Sequence, residues 1–80
     1  MSENEKKLIN AFCTGLSIDA SIIKDDLTYN TIAEWDSIGH MKLIAEIDKT
    51  FDIMLDTEDV IDMSTFGKAK ELLGKYEISF

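Results

Sequence analysis

Proline and arginine are absent from all 80 positions, and cysteine, histidine and tryptophan occur once each. Without proline, helix ends are left to polar caps and glycine. The whole cationic complement is eight lysines against sixteen acids, a net charge of −8. Nucleic acid is thereby excluded as an expected ligand, because neutralising phosphates needs a basic face. A strong field of one sign instead favours a basic protein partner. The lone Cys13 has no intramolecular disulfide partner, which fits a reducing, cytoplasmic setting. There is no long apolar run, so neither a membrane span nor a signal peptide is expected. Repeats and low-complexity segments are also missing. A chain this short builds one domain with a modest core, and a deep substrate cavity is not expected inside it.

What the sequence does contain is helical periodicity. Ser2 and Glu5 have capping-box spacing, and Leu8, Ile9, Phe12, Cys13 and Leu16 form an apolar stripe. This predicts a first helix over about 2–15, with Gly15 as its stop. Residues 17–36 show no clean period. Their apolar members Ile22, Ile23, Leu27, Tyr29, Ile32 and Trp35 predict an ordered loop pinned to the helices, with one helical turn near the cap candidates Asp19 and Ser21. Trp35 reads as a packing anchor. A third, short helix is expected over 57–62, capped by Asp56 or Thr57. A last helix is expected over 65–76, capped by Ser64 or Thr65, with a core stripe of Phe66, Ala69, Leu72, Leu73 and Tyr76. Lys68, Lys70 and Lys75 line its outer side, Lys75 matching the helix dipole. Ile78 and Phe80 are expected to fold back onto the bundle. Between Asp48 and Asp62 lie six acids and one lysine. The spacing of a calcium-binding loop is missing, so the run reads as a solvated acidic face and no metal site is expected.

The second helix, over 37–51, has apolar residues around too much of its circumference. Leu43, Ile44, Ile47 and Phe51 form one cluster, and Ile38, Met41 and Ala45 form another rotated away from it. An 80-residue bundle has few helices to cover both sides. The second cluster therefore reads as an exposed strip for partners, flanked by Lys42 and Glu46. Asp36 is a good N-cap, which places the Ser37 hydroxyl beside the unsatisfied N–H groups of the first turn.

Three roles for Ser37 compete: an ordinary polar residue, a catalytic nucleophile and a covalent attachment point. A nucleophile needs a base and a third group to orient it. His40 is the only histidine, and its position around the helix falls with the core-facing cluster. Trp35 stands where a G-x-S-x-G elbow has its first glycine, and no strand precedes it. An enzyme is not expected, and no catalytic residue is assigned.

Asp36-Ser37-Ile38, followed by Met41, Leu43 and Ile44, resembles the D-S-[LIM] attachment motif of acyl carrier proteins. The likeness spans nearly the whole chain: early helix, long loop, serine-headed second helix, acidic short third helix and closing helix. It implies an all-α four-helix bundle with three longer helices, one short helix and a long loop between the first two, residues 1–80 forming a single carrier domain. It further implies that Ser37 receives 4′-phosphopantetheine from coenzyme A through a separate phosphopantetheinyl transferase. The arm's thiol would carry an acyl group as a thioester to acyl-loading and acyl-transferring enzymes. Asp36 would orient the helix start, Ile38, Met41, Lys42, Ala45 and Glu46 would face partners, and the protein would be a monomer.

Three positions depart from the carriers of fatty acid biosynthesis. Trp35 replaces a glycine two residues before the serine, Gly39 replaces an acid two residues after it, and Lys42 replaces a glutamate. The Glu-Trp-Asp-Ser run resembles stand-alone carriers of a dedicated biosynthetic pathway, and these three positions are where partner choice is expected to lie. Two alternatives stay open: an aminoacyl or peptidyl carrier, and an unmodified helical adaptor that binds through the same strip.

Overall fold

The computed structural model describes residues 2–80. Four α-helices succeed one another, α1 (Glu3–Leu16), α2 (Ser37–Phe51), α3 (Thr57–Asp62) and α4 (Phe66–Gly74), with no strand among the described residues. Three helices are long and one is short, as the periodicity predicts. No helix among the described residues is long and apolar enough to cross a membrane.

Ser2 starts α1 by accepting a hydrogen bond from the Glu5 amide at 3.1 Å. Leu8, Phe12 and Leu16 are buried, while Ile9 and Cys13 pack half-buried at the core's edge. Burial pushes the Cys13 thiol above its ordinary pKa, which suits a packing residue and not a thiolate. Gly15 does not stop this helix. It lies inside α1 where α2 crosses, and a Cβ there would stand 2.7 Å from the Leu43 Cα. The stop is Ser17, in the left-handed conformation at φ 57°, with its amide bonded back to the Cys13 carbonyl.

The long α1–α2 connection is ordered by hydrogen bonds to the start of α4. Tyr29 N–H donates to the Ser64 carbonyl at 2.7 Å, Phe66 N–H to Leu27 at 3.0 Å and Gly67 N–H to Asp25 at 3.0 Å. The expected helical turn is a short 3-10 helix at Ala20–Ile22, capped by Asp19, whose carboxylate accepts from Ser21 N–H. Ile23, Leu27 and Trp35 carry the loop into the core. Trp35 is fully buried, with Phe12 edge-on to it at 5.4 Å, and Phe12 in turn meets Phe66 at 5.0 Å. These three rings fill the centre of the bundle and carry much of its apolar burial.

Several corrections concern the C-terminal half. The acidic run is not wholly solvated, because Asp59 is buried. Its carboxylate accepts from the Lys75 ammonium at 2.5 Å and the Tyr76 hydroxyl at 2.7 Å, and Tyr76 in turn accepts from Asp56 N–H at 2.9 Å. Lys75 therefore spends its charge on α3 instead of on the dipole of its own helix. Helix α4 ends at Gly74 and not at 76, and Lys75 and Tyr76 turn aside to make this latch. Thr65 is its N-cap, accepting from Lys68 N–H at 2.9 Å. Lys70 is likewise not a free outer lysine, since it bridges Asp25 at 2.8 Å and Glu5 at 3.5 Å. Of the two terminal apolar residues, Ile78 packs on the core, and Phe80 is 38% exposed and not part of it.

Candidate functional site

Asp36 has extended backbone, and its Oδ1 accepts from Gly39 N–H at 2.8 Å, fixing the first turn of α2. The turn is held from below by the ring of His40. Trp35 Nε1–H donates to His40 Nδ1 at 2.9 Å, and the two rings lie within 18° of coplanar. With Nδ1 accepting, the other nitrogen carries the proton and donates to the Val60 carbonyl at 2.7 Å. His40 thus joins the buried indole to the backbone of α3. Both of its nitrogens are engaged, and neither is left to take a proton from Ser37.

Gly39 is demanded by the same local packing. The loop brings the Glu34 carbonyl over the first turn of α2, and a Cβ at position 39 would meet that oxygen at 2.1 Å. Neither Trp35 nor Gly39 is exposed. Their part in the site is to shape the first turn of α2. Lys42, the third departure, is exposed.

Ser37 is the first residue of α2 and is exposed. Its backbone N–H and that of Ile38 have no protein partner among the described residues. Beside it opens a cleft of about 360 Å³ between α2 and α3. Ser37, His40 and Met41 line one side, and Val60 and Ile61 the other. The buried Met63 and the hydroxyl-bearing Tyr29 and Ser64 complete its lining.

Of the residues expected to face partners, Ile38 is 68% and Met41 63% exposed, and Lys42 and Ala45 are exposed too, while Glu46 is half-buried. Only Met41 shares the cleft with Ser37; the others run along the outside of α2. Sequence reasoning did not place Tyr29, Val60, Ile61, Met63 and Ser64 at the site. Ile61 stands 74% exposed within an acidic segment. Among the described residues, no three histidine, cysteine or acidic side chains converge as metal ligands.

Compared with known proteins, the chain matches no family model, no curated protein and no solved structure.

Proposed function

We propose that the chain is a carrier protein whose Ser37 takes a 4′-phosphopantetheine arm and presents an acyl group on it to partner enzymes. The observation that carries this reading is the placement of an exposed serine hydroxyl at the head of α2, on the rim of an apolar cleft. The residues present fit the group. Two unpartnered first-turn N–H groups, at the positive end of the helix dipole, suit a phosphodiester on the Ser37 oxygen. The bound arm would supply a terminal thiol that holds an acyl group as a thioester.

The chain's part in loading is limited to offering the nucleophile. The Ser37 oxygen bonds to the pantetheine-bearing phosphorus of coenzyme A as the pyrophosphate P–O bond breaks. Adenosine 3′,5′-diphosphate leaves, and the serine proton passes to a base of the transferase, which also binds Mg²⁺. The engagement of both His40 nitrogens supports an external base and hence a substrate, not an enzyme. Asp36 keeps the helix start rigid for docking. The exposed Ile38 and Met41 supply apolar contact, and the excess of acids supplies attraction to basic partners.

The exposure of Ile38, Met41 and Ile61 also favours a second reading, an adaptor that binds partners without modification. The two readings part on one pair of variants, assayed by capture of the loading enzyme and by thioester formation. A carrier loses thioester formation in Ser37→Ala and loses docking in Met41→Asp. An adaptor is unaffected by Ser37→Ala and loses binding only in Met41→Asp.

A further inference from the structure

We infer that Met41 is a redox-sensitive modification site, at which oxidation of the thioether to the sulfoxide by a peroxide slows the loading of Ser37. This rests on the carrier reading and adds a control to its site. The three methionines among the described residues stand in three different settings. Met63 is 1% exposed and shielded from an oxidant in solution. Met54 is 83% exposed, but it lies in the connector between α2 and α3 and is not among the residues that line the cleft. Met41 is 63% exposed and lines the cleft with Ser37, four residues further along the same face of α2. Among the described residues it is the one sulfur that is both open to solvent and beside the candidate serine. The single thiol does not compete for the oxidant. Cys13 packs half-buried at the edge of the core on α1, and burial raises its pKa, which keeps the reactive thiolate scarce.

The step balances with hydrogen peroxide as the only oxidant. A lone pair of the Met41 sulfur bonds to one peroxide oxygen as the O–O bond breaks. The departing hydroxide takes the proton from the transferred oxygen and leaves as water. The sulfur loses two electrons and the peroxide gains them. A sulfoxide reductase with a dithiol reverses the step: the oxygen leaves as water while two thiols join in a disulfide. The product alters the strip and spares the core. Met41 is not among the side chains that build the core or pack against it, so the fold loses no apolar contact there. The strip that it shares with Ile38 and Ala45, by contrast, gains a polar, chiral group in place of a flexible apolar one. A transferase that buries this strip must then desolvate the new oxygen without offering it a donor, and docking weakens.

The test treats the folded chain with hydrogen peroxide and follows each methionine by peptide mapping. Met41 and Met54 are expected to be oxidised while Met63 stays intact. The treated and untreated proteins are then loaded from coenzyme A by a broad-specificity phosphopantetheinyl transferase, with intact mass as the readout. Oxidation is expected to lower kcat/KM for loading about tenfold, with the thermal midpoint held within about 2 °C. Met54→Leu is expected to lose as much on treatment as wild type. Met41→Leu removes the sulfur and keeps the apolar bulk, so its rate is expected to be the same before and after peroxide. Methionine sulfoxide reductases for both epimers, with dithiothreitol, are expected to restore the wild-type rate. The inference is overturned if Met41 resists oxidation as Met63 does, if full oxidation of Met41 leaves the rate unchanged, or if Met41→Leu slows as wild type does. A rate loss that tracks a falling midpoint would overturn it too, because the damage would then lie in the fold. Failure of the untreated chain to gain mass would remove the carrier reading itself, and this inference with it, whereas a mass gain at a rate indifferent to peroxide removes the inference alone.

Discussion

The indole N–H of Trp35 and the Nδ1 of His40, 2.9 Å apart, join the loop that delivers Ser37 to the helix that Ser37 heads. The same imidazole holds α3 through the Val60 carbonyl. One histidine thus ties three elements together around the candidate site. Trp35→Phe keeps the buried ring but removes the donor, and is expected to cost about 1 kcal/mol. His40→Ala strands the indole N–H and frees α3, and is expected to cost about 2–3 kcal/mol. Urea denaturation of both single variants and the double variant checks this, with a coupling of at least about 0.5 kcal/mol expected between the two sites.

Gly39 and Gly74 should respond to alanine with opposite signs. Alanine is the better helix former by about 1 kcal/mol, so propensity alone favours both changes. At position 74 nothing lies within 4 Å of the new methyl, and Gly74→Ala is expected to stabilise by about 0.5 kcal/mol. At position 39 the methyl would meet the Glu34 carbonyl at 2.1 Å, and the loop must shift. Gly39→Ala is expected to destabilise by about 2 kcal/mol or more. Denaturation midpoints for the pair test the assignment.

The Asp59 latch predicts a pH dependence. The Lys75 ammonium, and after it the Tyr76 hydroxyl, hold the Asp59 carboxyl below the usual range. A depressed carboxyl contributes stability above its unfolded pKa of about 3.9, and that contribution is lost as the pH falls through the lower folded value. Lys75 is raised by the same bond, so its contribution is full below the ordinary lysine range and lost only as the pH rises above it. Asp59→Asn is therefore expected to be less stable than wild type at pH 7, with the gap closing below pH of about 4. Denaturation midpoints of both proteins across that range measure it, and a gap that does not narrow in acid would contradict the latch.

The helices were legible because their apolar residues recur at helical spacing and their caps are explicit: Ser2, Asp36 and Thr65 all accept from amides in the first turn. The exposed strip on α2 was legible for the same reason, since two rotated clusters in one helix cannot both be covered by so few neighbours. Gly15 misled because a glycine in a helix marks either an end or a close crossing, and only the position of Leu43 in space separates the two. Asp59 misled because a carboxylate amid five other acids gives no sign that a lysine sixteen residues on will reach it. The cleft was not legible at all. Its second wall comes from a six-residue helix, too short for a face to be read from its period, and from Tyr29 in a loop without one.

Ser37 contributes little to the fold, so the site can be removed without removing the protein. It is an exposed first-turn residue, and Ser37→Ala is expected to change stability by less than about 0.5 kcal/mol. Asp36→Ala, which deletes the bond to Gly39 N–H, is expected to cost about 1 kcal/mol. Thermal or urea unfolding distinguishes the serine that is presented from the aspartate that presents it.

The central claim is that Ser37 accepts a covalent arm. Intact-protein mass after incubation with coenzyme A, Mg²⁺ and a broad-specificity phosphopantetheinyl transferase tests it most directly. The account predicts a single phosphopantetheine added to the wild-type chain and none added to the folded Ser37→Ala variant. No gain on the wild type, or an equal gain on both, would contradict it.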